Sequence, residues 1–465
     1  MSEQSITPFR RRQVIDALRF GAVPARGIEH IATGLTRLEK AIDEELAMCA
    51  AGEGRLKAVR GEYGSGKTFF ARWLVARAQS QNFATSEVQI SDSEVPLHRF
   101  ELVYRSAIAA MMTKEFPTGA FRSVLDSWFF RLETEATETG LARADDAQGL
   151  ARGVAKLLEE RLRSVSLVQP QFAAALRAAY EHRVKGDVAK EEGIIAWVMG
   201  QPNVGTAIKN AADVRGEIDS TVASGFLRGV LEVLKQSGRA GLVIVLDEVE
   251  TIQRIRADHR ERALGELRRL IDDLLAGRFP GLYLVITGTP LFFTGPQGIS
   301  RLPPLAQRLA TDFQKDPRFD VAKSPQIRLM PFDFDRLVEV GQKVRALYHP
   351  TNAFRPERLD DAALRALAQS VHGALGHRMG VAPRVYLRKL VQLLDTMDEH
   401  ADYDPVLHGG LVITSEEAAS DLAAAESILS AAPSQKESPD DVALDLTSPE
   451  PRRPAAPGSM SMEDE

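Results

Sequence analysis

The chain carries one cysteine, Cys49, in 465 residues. That excludes an intramolecular disulfide and any metal site built from several thiolates, and it fits a reducing compartment. A lone thiol of this kind reads as a small buried hydrophobe. The nine histidines are scattered. His372 and His377 are spaced too widely for one helical face, so no metal centre beyond magnesium is expected, and no Ser-His-Asp or Cys-His grouping is present. No apolar run approaches the roughly 18 residues that would span a bilayer, and the first residues, MSEQSITPFRRR, lack the apolar region of a signal peptide. The expectation is a cytoplasmic protein without a membrane contact. Strong charge of one sign is also lacking. Net charge is -6, of which residues 434–465 supply -5. A whole-surface basic footprint for nucleic acid is therefore absent, and any such contact must be local.

What is present suits a folded chain of two or three packed units: 44% hydrophobic and 26% charged residues over a length about three times that of one domain. Residues 1–33 hold a short helical pattern (Val14, Ile15, Leu18) and a turn-rich stretch broken by Gly21, Pro24 and Gly27, which reads as an N-terminal arm. Residues 34–99 read as helix, strand (Leu56–Val59), a glycine-rich loop, helix and a second strand (Ser86–Ile90). Residues 100–236 show repeated helical faces without strand alternation and form a predicted helical insertion. Residues 237–331 return to buried apolar strands, Leu242–Leu246, Leu282–Thr287 and Gln326–Leu329, around an arginine-rich helix. Strands alternating with helices predict an α/β domain with a parallel sheet of the P-loop NTPase type. Residues 332–430 read as a helical lid. Residues 431–465, rich in Pro, Ser and Asp, have too few bulky apolar groups to offset the ordering entropy and are expected to be a disordered acidic tail.

The segment Gly61-Glu62-Tyr63-Gly64-Ser65-Gly66-Lys67-Thr68 matches the pattern G-x-x-x-x-G-K-[ST] between a predicted strand and a predicted helix. Glycines let successive backbone N–H groups point at phosphate oxygens, and the helix N-terminus adds partial positive charge. Nucleotide contacts are expected from Gly61 through Phe69. Lys67 would reach the β- and γ-phosphates of ATP and Thr68 would bind Mg²⁺. Asp247, at the end of the strand Leu242–Leu246, is the candidate second magnesium ligand, and the adjacent Glu248 is the candidate general base for an attacking water. Thr287, with Thr289 beside it in LVITGTP, stands where a polar side chain orients that water, although local backbone bonding accounts for such threonines equally well. Arg384, opening a helix of the lid after Pro383, is a candidate contact to the γ-phosphate. Arg301 and Arg308 are candidates for donation in trans to a neighbouring subunit. Arg254, Arg256, Arg260, Arg262, Arg268 and Arg269 crowd the segment after Glu248, either as a stripe that follows a phosphate backbone or as a solvated face with helical ion pairs.

The segments ALRFGAVPARGIEHIATGL, VRGEYGSGKTFFARWL, IVLDEVETIQRI and VITGTPLFF together resemble the ATP-binding BrxD family of bacteriophage exclusion (BREX) systems. That family comprises P-loop ATPases broadly similar to the AAA+ class and to origin-recognition-type loaders. The resemblance runs over roughly residues 8–400. By position it implies phosphate and Mg²⁺ binding by Lys67 and Thr68, Mg²⁺ binding by Asp247 and water activation by Glu248. It also implies antiviral defence beside a helicase-like protein and DNA-modifying components. Three readings follow: an ATPase that switches contact with partner proteins or double-stranded DNA, in a homo-oligomer if the trans arginines act; a nucleotide-gated scaffold with little hydrolysis; and an ATP-dependent DNA-binding or remodelling protein.

Overall fold

The computed structural model describes residues 6–413 apart from 144, 353–355 and 376–381. The predicted acidic tail, 431–465, lies outside the described residues. Five strands, β1 (Arg55–Arg60), β2 (Ala84–Gln89), β3 (Leu242–Asp247), β4 (Leu282–Gly288) and β5 (Gln326–Arg328), form one sheet in the order β2-β3-β4-β1-β5. Every pairing is parallel. The order places β4 between the strand that leads into the glycine-rich loop and the strand that ends in Asp247. Each of the five predicted strands is present, with boundaries shifted by one or two residues.

The apolar runs explain this sheet. Period-two alternation sends Leu242, Ile244, Leu246, Leu284 and Ile286 into the core on one face, while Val243, Val245, Tyr283 and Val285 enter the core on the other. A strand covered on both faces must be apolar at every position, and Leu242–Leu246 is buried throughout. Each such side chain stabilises by about 1.5–3 kcal/mol relative to exposure. On the Val243 side lie α2 (Thr36–Ala50), which buries Leu38, Ile42 and Leu46, and α3 (Lys67–Ser80), which buries Phe70, Trp73 and Leu74. On the Leu242 side lie the helices that run between β2 and β3, the last of them Ser220–Gln236. Their apolar faces continue the sheet's core without a break, with Phe100, Tyr104, Trp128 and Phe226 in the same cluster.

A second body of packing comprises the helices Phe334–Leu347, Asp361–Leu375 and Ala382–Glu399. Residues 8–19, which the sequence places in a lead-in arm, form helix α1 (Pro8–Arg19) and dock Val14, Ile15 and Leu18 into this C-terminal core. Arg19 reinforces the docking with a two-point pair to Asp395, 376 positions away in the chain, at 2.8 and 2.9 Å. A short amphipathic segment cannot bury its stripe alone, and the surface that covers it here belongs to helices at the far end of the sequence, which local pattern does not reveal.

Candidate functional site

The loop from Gly61 to Gly66 joins the end of β1 to the start of α3. Gly64 (φ +74°) and Gly66 (φ +92°) both occupy left-handed backbone that other residues rarely adopt. Gly61 is required for a different reason: a Cβ there would stand 2.2 Å from Ser65 Oγ. The loop thus curls tightly over the helix N-terminus. The buried Ser65 Oγ has no hydrogen-bond partner in the described structure. Lys67 is itself buried, its ammonium donating to the carbonyls of Gly61 (3.0 Å) and Glu62 (3.3 Å) and lying 4.9 Å from the centroid of the Tyr63 ring. A folded-back lysine at a helix N-terminus, beside an unsatisfied hydroxyl, makes a cradle that fits an anion.

The acidic strand end meets this cradle. Thr68 Oγ1 donates to Asp247 Oδ2 at 3.2 Å, so the two candidate Mg²⁺ ligands are neighbours. Both are hard oxygen donors, as a magnesium site requires. Thr287, fully buried at the end of β4, donates to the other carboxylate oxygen of Asp247 and also accepts from the backbone N–H of Glu248 at 3.3 Å. The threonine therefore orients the acid, while Thr289 lies at the start of the following short helix without a capping hydrogen bond. Glu248 has left-handed backbone (φ +57°), uncommon for a residue with a side chain and of a kind that clusters at functional sites. Its carboxylate accepts from Gln89 Nε2 at 3.0 Å across the neighbouring strand end.

Three further features complete the site: two residues that the sequence did not single out, and one contact between residues that it did. Gln89 is one; it stands opposite Asp247 at the carboxyl end of the neighbouring strand, a placement that only the sheet order supplies. Glu250, two residues beyond Glu248 in the same acidic run, is the second. It is buried at 4% exposure, with its carboxylate 3.7 Å from Lys67 Nζ, and burial pushes its pKa up against the opposing attraction of Lys67. The third is the bond from the Arg254 guanidinium to the Tyr63 hydroxyl, 3.2 Å, which straps the 3₁₀ turn Val249–Arg254 to the glycine-rich loop. Beside Ser65 and Gly66 a cleft opens, walled by Gly34, Leu35, Phe69, Met330 and Arg336.

The remaining candidates make other contacts. Arg384 runs alongside Gly21, its Nε 3.1 Å from where a Cβ on that glycine would stand. Arg308 pairs with Asp272 at 2.9 Å and Arg301 with Glu261 at 3.6 Å. The six arginines after Glu248 do not gather as one phosphate-following stripe. Arg254 turns to Tyr63, Arg260 is buried, and Arg256, Arg262, Arg268 and Arg269 pair with Asp258, Asp258, Asp272 and Glu266. Helical spacing sends Arg260 inward beside Leu264 and Leu267, while Arg256, Arg262, Arg268 and Arg269 share three acids of the same helix, Asp258, Glu266 and Asp272.

A glycine-rich anion cradle on one central strand of a parallel sheet, with an acid on a strand two places away that reaches the cradle's threonine, defines a P-loop nucleotide-binding fold. The chain belongs to the family described as BREX system ATP-binding protein BrxC/D, which matches residues 6–411. Among solved structures, the Aeropyrum pernix ORC1 protein in complex with DNA is similar over 87% of this chain and 69% of that one, with 12% identity and a TM-score of 0.34. No curated protein matches the chain. Among the described residues no helix is long and apolar enough to cross a membrane.

Proposed function

We propose that the chain binds MgATP and hydrolyses it, and that its nucleotide state switches contact with other components of the defence system. The observation that carries this reading is the meeting of Thr68 and Asp247 at 3.2 Å, with Glu248 and Thr287 bonded to the same corner. Mg²⁺, held by Thr68 and Asp247, would neutralise charge on the β- and γ-phosphates. Lys67 moves from its carbonyl partners to phosphate oxygens. Thr287 keeps Asp247 oriented. Glu248 takes the proton of the attacking water once it leaves Gln89. Arg384, which lies against Gly21, is the residue of the C-terminal helices proposed to contact the γ-phosphate. The cleft beside Gly66 supports the switching part of the reading, because its walls come from the sheet body and from the helix Phe334–Leu347. A ligand there touches both bodies and biases their angle.

The Gln89–Glu248 bond favours a second reading, in which the protein is a nucleotide-gated scaffold whose base is restrained until a partner arrives. Steady-state phosphate release by wild type, Lys67→Ala and Glu248→Gln, each with and without double-stranded DNA and partner proteins, tests both. Turnover that Glu248→Gln abolishes while ATP still binds supports the ATPase reading. Tight binding with negligible turnover under every condition supports the scaffold, and normal turnover by Glu248→Gln sinks the base assignment.

A further inference from the structure

The acidic run at the end of β3 contains one carboxylate that neither magnesium binding nor water activation uses. Glu250 is only 4% exposed, and neither of its carboxylate oxygens accepts a hydrogen bond from a neighbouring residue. Withdrawing a carboxylate from water with no hydrogen bond beyond its own backbone is costly, so its retention points to a charge partner. Among the described residues that partner is Lys67, at 3.7 Å. The left-handed backbone of Glu248 makes the arrangement possible: the chain reverses there, so that Glu248 meets Gln89 while Glu250, two residues on, meets the glycine-rich loop.

The distance matters. At 3.7 Å the pair attracts without a hydrogen bond, and the lysine's donors go instead to the carbonyls of Gly61 and Glu62. Lys67 can therefore leave Glu250 without breaking a directional contact between them. Phosphate oxygens offer the ammonium charge-assisted hydrogen bonds that Glu250 does not make. Taking the nucleotide-binding reading above as given, we infer that Glu250 is a positioning residue that serves as the counter-ion of Lys67 until nucleotide binds, and that the phosphates then take its place. Glu250 then competes with the nucleotide in two ways. It stabilises the free protein through Lys67, and its negative charge stands beside the place where the phosphates arrive. Its removal should tighten nucleotide binding, the opposite of what loss of a phosphate ligand does.

The test is equilibrium binding of ATP and ADP, each with Mg²⁺, to the full chain by isothermal titration calorimetry. Glu250→Gln keeps the shape and removes the charge, and its dissociation constant for MgATP is expected to fall about fivefold, the size of effect typical for one contacting pair. Glu250→Asp, which withdraws the carboxylate by one methylene, is expected to give a smaller gain and serves if the glutamine variant folds poorly. The Lys67→Ala background supplies the control. There the added Glu250→Gln substitution should tighten binding clearly less than it does in the wild type, because only the direct repulsion of the phosphates remains, a coupling that a merely structural role does not produce. If wild type binds MgATP but Glu250→Gln and Glu250→Asp bind equally well or more weakly while melting at the same temperature, the counter-ion assignment is overturned and the nucleotide reading stands. If neither wild type nor any variant binds nucleotide, both are overturned.

Discussion

Thr68 and Asp247 are 179 positions apart in the chain and 3.2 Å apart in space. The contact depends on β4 standing between β3 and β1 and on a glycine-rich loop that starts α3 at Lys67. It predicts that the two residues act on the same ion. Asp247→Asn should weaken MgATP binding about tenfold or more, at the low end of what loss of a metal-site partner costs, and leave binding of ATP in EDTA nearly unchanged. Titrations with and without Mg²⁺ measure the difference, and an equal loss in both conditions would remove Asp247 from the metal site.

Thr287 bonds both Asp247 and the backbone of Glu248. Thr287→Val removes the hydroxyl at similar volume. Outer-shell partners of a metal ligand are worth about 10–100-fold in activity or affinity. Turnover should fall within that range while the protein remains folded, because the lost hydroxyl removes one of the bonds that orient Asp247, beside those from Thr68 and the backbone of Glu248. Unchanged turnover at saturating ATP would reduce Thr287 to a local backbone contact.

Gln89 restrains the candidate base through its 3.0 Å bond to Glu248. If that bond gates hydrolysis, Gln89→Ala should raise basal phosphate release about tenfold or more, since a bond to a charged acceptor is worth roughly 1.5–3 kcal/mol. The same substitution should have no effect in a Glu248→Gln background. A fall in basal turnover would instead make Gln89 an aid to water activation.

The strands were legible because β3 and β4 are buried on both faces, which forces continuous apolar runs such as Leu242–Leu246 that few other structures require. The glycine-rich loop was legible because Gly64 and Gly66 need left-handed backbone and Gly61 needs the absence of a side chain. Glu250 and Gln89 were not. One acid among three in LDEVE carries no mark of which faces the loop, and the turn that decides it is a left-handed Glu248, which sequence does not announce. Gln89 acquires a role only through the pairing of β2 with β3 across residues 90–241. The docking of α1 was equally hidden, because a 12-residue amphipathic helix states that it has a partner and does not say which.

That docking makes a stability prediction. Leu18 is buried in the core of the C-terminal helices together with Leu337, Val344 and Leu390. Leu18→Ala should cost about 2–4 kcal/mol, the usual range for a buried leucine. Chemical denaturation followed by far-UV circular dichroism measures it. A loss under about 0.5 kcal/mol, the size typical of a surface substitution, would show that α1 is not part of that core.

His98 supplies a pH dependence whose sign follows from its surroundings. Its ring stacks on His259 with centroids 4.3 Å apart, and its Nδ1 is buried without a hydrogen-bond partner. Burial lowers its pKa first, and the positive charges of His259, Arg262 and Arg99 lower it further, with Glu101 opposing. The folded protein therefore resists protonation at His98 more than the unfolded chain does. Between the lowered folded value and the ordinary value of 6.5, the unfolded chain binds more protons, so stability rises with pH through that window and is lost as pH falls below 6.5. Urea midpoints for wild type should accordingly drop between about pH 7.5 and about pH 5.5, an interval that brackets the ordinary histidine value. Other carboxylates and histidines contribute to any such drop, which is why the informative quantity is the difference between wild type and His98→Gln. The glutamine cannot be protonated, so the variant should lose less stability across the same interval. Parallel losses in the two proteins would mean that the stacked pair does not report on pH.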